Sequence, residues 1–138
     1  MKKEVLVEYT LRSGLAFSLL YAAIAGILDP SSWVGYVPNF LTAVADKETL
    51  LILIGVMQSI IALWILFGKR IFIPSTLAAL FILSILVSQF SLLDVIFRDV
   101  TVLSVAIALA IGHYPEGGIK NAFREILPAR KSTKPSER

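Results

Sequence analysis

Apolar residues gather into four long runs parted by short polar breaks. The runs cover residues 9–28, 49–67, 71–93 and 95–113. Each comes close to the roughly 20 residues that a helix needs to cross about 30 Å of hydrocarbon. The second and third are almost free of charge, and only Gly68, Lys69 and Arg70 part them, which predicts a tight helical hairpin. Pro74 falls in the first turn of the third run, where a missing N–H costs little. Arg12 lies about one turn inside the first run, and Arg98 and Asp99 about one turn inside the fourth. Charges at that depth reach the headgroups by snorkelling or face the interior of a bundle.

With connections this short, the pattern predicts an all-α fold: an integral membrane antiparallel four-helix bundle over residues 1–118. A short interfacial helix is expected between the first two spans. Asp29 closes the first helix and Pro30 stops its continuation, while Pro38 starts the interfacial piece that carries Phe40, Leu41 and Val44. Residues 119–138 make a basic tail, with an amphipathic helix from Lys120 to Leu127 and a disordered end. Read as a cleaved leader, the first 28 residues lack a small-residue cleavage pattern, since Gly26, Ile27, Leu28 and Asp29 supply none.

Composition strengthens the membrane reading. The chain of 138 residues is 57% hydrophobic and 17% charged, with a mean hydropathy of +0.79. Ordinary soluble domains hold about 45–50% apolar and about 25% charged residues. Charge placement then gives a direction. Lys2, Lys3, Arg12, Lys69, Arg70, Lys120, Arg124, Arg130, Lys131, Lys134 and Arg138 fall on one side of a four-crossing chain, and only Lys47 and Arg98 on the other. The positive-inside rule places both termini in the cytoplasm of a multi-pass protein of the inner, cytoplasmic membrane. Trp33 and Tyr36 then lie near the outer interface.

Small residues recur at spacing four as Gly14, Ser18, Ala22 and Gly26 in the first run, and as Ser104, Ala108 and Gly112 in the fourth. Such stripes let helices approach closely in lipid, so contact between the first and fourth helices is expected. Whether two bundles then pair as a homodimer is left open by the pattern.

Few residues carry chemistry. There is no cysteine, which removes thiolate nucleophiles, disulfides and thiol relays. His113 is the only histidine, so a bis-histidine haem site within one chain is excluded; haem between His113 and Met57 or a partner residue has no positive support. No metal site, phosphate loop or hydrolase motif is present, and the basic tail is no folded nucleic-acid surface. Six polar residues are singled out. Gln58, at the centre of the second run, needs partners for its amide, either in a neighbouring helix or in a ligand such as a quinone. Arg98 is expected to bridge Asp29 and Asp99 at the outer level, as a structural lock or as a substrate or electron-transfer site. At the inner level Arg12 and His113 gather with Glu8 and Tyr9, and His113 reads most simply as an interfacial residue that closes a helix.

Two stretches, "RSGLAFSLLYAAIAGILDPSSWVGY" at 12–36 and "FRDVTVLSVAIALAI" at 97–111, make the chain resemble the DoxX-like family of small four-span membrane proteins. The positions that carry the resemblance are Arg12, Gly14, Asp29, Pro30, Arg98 and Asp99. It implies a role beside a redox partner. Some members are small subunits of a thiosulfate:quinone oxidoreductase, and others join membrane oxidoreductase or detoxification complexes. A related group helps to mature disulfide-bearing enzymes, for which this chain has no thiol. The resemblance therefore implies a small membrane subunit that accompanies a redox or quinone-linked complex and has no redox centre of its own. Transport or binding of a small molecule by an oligomer, and a purely structural or assembly role, are the alternatives. No enzyme activity and no resident cofactor are assigned; a quinone is the ligand that the redox reading admits, and the lipid bilayer is the one partner that every reading shares.

Overall fold

The computed structural model describes residues 2–37, 39–88, 93–116 and 118–120, without the side chains of Phe40 and residues 93–96. Among the described residues five α-helices form an all-α bundle: α1 (Lys3–Leu28), α2 (Pro30–Trp33), α3 (Lys47–Phe67), α4 (Phe72–Ser88) and α5 (Leu93–Gly112). Short 3₁₀ turns over Val34–Tyr36 and Asn39–Ala43 link α2 to α3. Among the described residues two helices, α1 and α3, are long and apolar enough to cross a membrane. At 17 residues α4 is shorter, about 26 Å, and more apolar than either.

Each long helix buries one stripe. On α1 it is Arg12, Leu15, Ala16, Leu19, Ala23 and Gly26; on α3 it runs through Leu51, Gly55, Gln58, Ile61, Ala62 and Ile65. Steps of three and four keep these residues on one face of a helix. α4 adds Ala78, Ile82 and Leu86, and α5 adds Ala106 and Leu109, to one continuous core. α1 packs chiefly on α3, and α4 on α5; contacts of α3 with α4 and of α1 with α5 close the ring. Neighbours run antiparallel. The start of α1 meets the end of α3 through Arg12, and the start of α4 meets the chain just beyond α5, where Phe72 and Tyr114 pack edge to face at 5.4 Å.

Several expectations change. The small-residue stripes do not join α1 to α5. A methyl at Gly14 or Gly112 would touch nothing, and Ser104 and Ala108 are exposed. Close approach occurs between α1 and α3 instead, where a Cβ on Gly55 would lie 3.4 Å from the Ala23 carbonyl oxygen and one on Gly26 would lie 3.4 Å from Leu51. The hydroxyl of Ser18 donates to Gly14 at 3.0 Å within its own helix. Of the two stripes only Gly26 reaches a close interface, and that interface is with α3.

The piece between the first two spans begins earlier than expected. Asp29 accepts from the Ser31 hydroxyl at 2.6 Å and from the Ser32 amide at 3.4 Å, and so caps α2, whose first residue is Pro30. These Ser31 and Ser32 bonds hold the Asp29 carboxyl below the ordinary carboxylate range. Asp46 caps α3 in the same way, accepting from Thr49 N at 2.9 Å and Thr49 Oγ1 at 2.8 Å, and its carboxyl is also lowered. Only Lys120 of the expected tail helix, and nothing of the disordered end, lies within the described residues.

Candidate functional site

The bundle has two polar regions, one at each end. The first is built on Arg12. A helix leaves its last carbonyls without partners, and these attract cations. Arg12 fills that role for α3: Nε donates to the Ile65 carbonyl at 2.8 Å, and Nη2 donates to Leu66 at 3.2 Å and to Gly68 at 2.7 Å. Its Nη1 donates to Glu8 Oε1 at 3.2 Å, one helical turn earlier, and the guanidinium lies 5.7 Å from the Tyr9 ring centre. The same Glu8 oxygen sits 3.2 Å from His113 Nε2, while His113 Nδ1 lies 3.0 Å from the Leu109 carbonyl. Both imidazole nitrogens thus face oxygens, and a ring protonated at both would donate to each. Glu8, Tyr9, Arg12 and His113 do come together, as their common level suggested. Sequence reasoning missed the main partners of Arg12, which are backbone carbonyls of another helix.

Fixed planar geometry lets one guanidinium serve four acceptors at once. One turn into α4, Ser75 is fully buried and its Oγ has no partner.

The second region is a cavity of about 510 Å³ in the opposite half of the bundle. Gly26, Trp33, Tyr36, Gln58, Phe81 and Arg98 are among its lining residues. Trp33 and Tyr36 pack at 5.6 Å, and Trp33 joins Val37, Leu50 and Leu51 in a small apolar cluster beside it. Gln58 is 7% exposed, and its side-chain amide has no hydrogen-bond partner among the described residues. At the mouth, Arg98 Nε lies 3.7 Å from Asp99 Oδ1.

The expected bridge from Arg98 to Asp29 is absent. Arg98 pairs with its neighbour Asp99, and Asp29 is taken up by the α2 cap. The reason is local: an Asp-Pro-Ser-Ser turn offers Asp29 a hydroxyl and an amide within three residues, and a contact across helices offers nothing nearer. Asp94, which its place in the sequence marks as a solvated cap, has a side chain outside the described residues. Met57 also lines the cavity, while His113 is held at the far end by Glu8 and Leu109. Among the described residues no three His, Cys, Asp or Glu side chains come together as a metal site would require. Comparison of the chain with protein-family models, with curated proteins and with solved structures gave no match.

Proposed function

We propose that this chain crosses the bilayer four times, with both termini in the cytoplasm, and serves as a small accessory subunit beside a membrane oxidoreductase. The observation that carries the membrane reading is an uncharged outer face. Phe17, Val87 and Ile111 each keep 71% of their surface exposed, and Phe67 keeps 77%. Between Arg12 and Asp29, between Glu48 and Lys69, and between Asp99 and Glu116 no Asp, Glu, Lys or Arg interrupts the apolar surface. Apolar area of that extent, wrapped round a bundle, suits hydrocarbon. At 17 residues α4 reaches the lower limit for a span. The redox partner is supported by the DoxX-like stretches alone.

Membrane integration is tested by alkaline carbonate extraction, which should leave the protein in the pellet. Direction is tested by Ser31→Cys and Lys69→Cys, both at exposed positions in a chain free of cysteine. An impermeant thiol reagent should label only Ser31→Cys in intact cells, and labelling of Lys69→Cys without lysis would reverse the topology. Mild-detergent pull-down should recover an oxidoreductase, and recovery of this chain alone across several detergents would remove that partner. The cavity at Gln58 favours a second reading, in which the protein binds a small molecule.

A further inference from the structure

Three places hold polar groups in low-dielectric surroundings. At Arg12 every guanidinium nitrogen has a partner. The Ser75 hydroxyl is orphaned but does not line the cavity. At Gln58 an unpartnered amide, more than nine-tenths buried, lines an apolar space.

We infer that this cavity binds one neutral, lipophilic small molecule bearing a carbonyl or hydroxyl group, which hydrogen-bonds to Gln58. Size agrees, since small-molecule sites span roughly 300–1,000 Å³ and this one is about 510 Å³. Charge agrees as well. The charged residues lining it, Arg98 and Asp99, face each other, so neither a carboxylate nor an ammonium would meet an unopposed counter-charge. A primary amide offers both a donor and an acceptor, so a carbonyl or a hydroxyl is equally served. Phe17, Trp33, Tyr36 and Phe81 supply aromatic walls.

Two simpler occupants fit less well. Water would satisfy the amide, but the lining is mostly apolar and leaves a water at Gln58 short of the two to four polar partners it needs. A phospholipid chain would fill the walls and leave the amide unmet, because its ester carbonyls stay at the interface. Gln58 stands 11 residues from the start of α3 and 9 from its end, about 14–16 Å along the axis from either. In the four-span reading, on which the route of entry rests, that level is close to the bilayer centre.

Benzophenone tests the inference: it is neutral, aromatic, carries one carbonyl and crosslinks under near-ultraviolet light. Diphenylmethane is the matching competitor without the carbonyl. With the full chain in detergent, benzophenone labelling should saturate, and the adducts should map to cavity-lining peptides from α3 and α4. Unlabelled benzophenone should compete about five-fold better than diphenylmethane, the effect of one neutral hydrogen bond. Gln58→Leu should erase that preference while diphenylmethane competes as before. Equal competition by the two compounds on the wild-type protein would overturn the inference, even if Gln58→Leu failed to fold. Adducts scattered over the exposed helix faces would do the same. Carbonate extraction reads the membrane assignment separately: a chain that stays in the pellet but shows no carbonyl preference loses only the ligand, and a released chain that keeps the preference loses only the route.

Discussion

Replacing Arg12 probes the bundle where a single side chain ties three helices. Arg12 is 9% exposed and closes the end of α3 with three bonds to carbonyl oxygens, and it shares Glu8 with His113 of the α5 end. In Arg12→Met the stem and its packing are largely kept, but the carbonyls of Ile65, Leu66 and Gly68 lose their donor. A hydrogen bond to a charged group contributes about 1.5–3 kcal/mol, and an unsatisfied buried group costs about 1–3 kcal/mol. Water at the helix end recovers part of this, and Glu8 keeps His113, so the sum is well short of additive. We expect a loss of about 3–4 kcal/mol for Arg12→Met, in the range seen when one partner of a buried pair is removed. Arg12→Lys should lose about 2 kcal/mol, because a point-like ammonium cannot span the acceptors of the planar fork. The assay is denaturant unfolding in detergent, with Glu8→Gln and the double variant added to measure coupling. If Arg12→Met stayed within about 0.5 kcal/mol of wild type, the end of α3 would be satisfied without Arg12 and the reasoning would fail.

Further outcomes follow from single positions. Gly68→Ala places a methyl against the Trp64 carbonyl oxygen and indole, so it should destabilise by about 1–3 kcal/mol, and an unchanged melting temperature would show that this turn yields freely. Ser75→Ala removes the orphaned hydroxyl and should stabilise by about 1 kcal/mol; a loss instead would mean that Oγ has an acceptor. Asp46 binds its proton less readily folded than unfolded, so its cap contributes fully above the ordinary carboxylate range, near 3.8, and is lost as pH falls below that. Thermal scans across that window should therefore show wild type converging on Asp46→Asn, and parallel curves would deny the cap.

The helices and their antiparallel order were legible because each apolar run is long and its breaks are short. Common level was enough to gather Glu8, Tyr9, Arg12 and His113. What Arg12 does there was not legible, since backbone acceptors leave no trace in a side-chain pattern. The Asp29 misreading had a visible remedy: Asp followed by Pro and two serines is a helix-start signal in its own right. Gly55 belongs to neither of the spacing-four stripes, yet it makes the close approach to α1 that those stripes suggested elsewhere. Gln58 was readable as a buried amide seeking partners, but the space beside it depends on how five elements meet and has no local signature.

The Arg12 clamp also sets a sequence of events during synthesis. Arg12 is made 53 residues before Ile65, whose carbonyl it will hold. Throughout that interval the arginine has, from the finished set, only Glu8 and the Tyr9 ring, both within one turn of its own helix. In the proposed topology the first helix enters the membrane with a charge not yet bonded to α3, which keeps that end at the headgroups until the second long helix arrives. When α3 emerges, its bare carbonyls and the waiting guanidinium satisfy each other in one step. A chain halted before residue 68 has no finished acceptor set for Arg12, and its first helix stays without the α3 face that it packs against in the complete bundle.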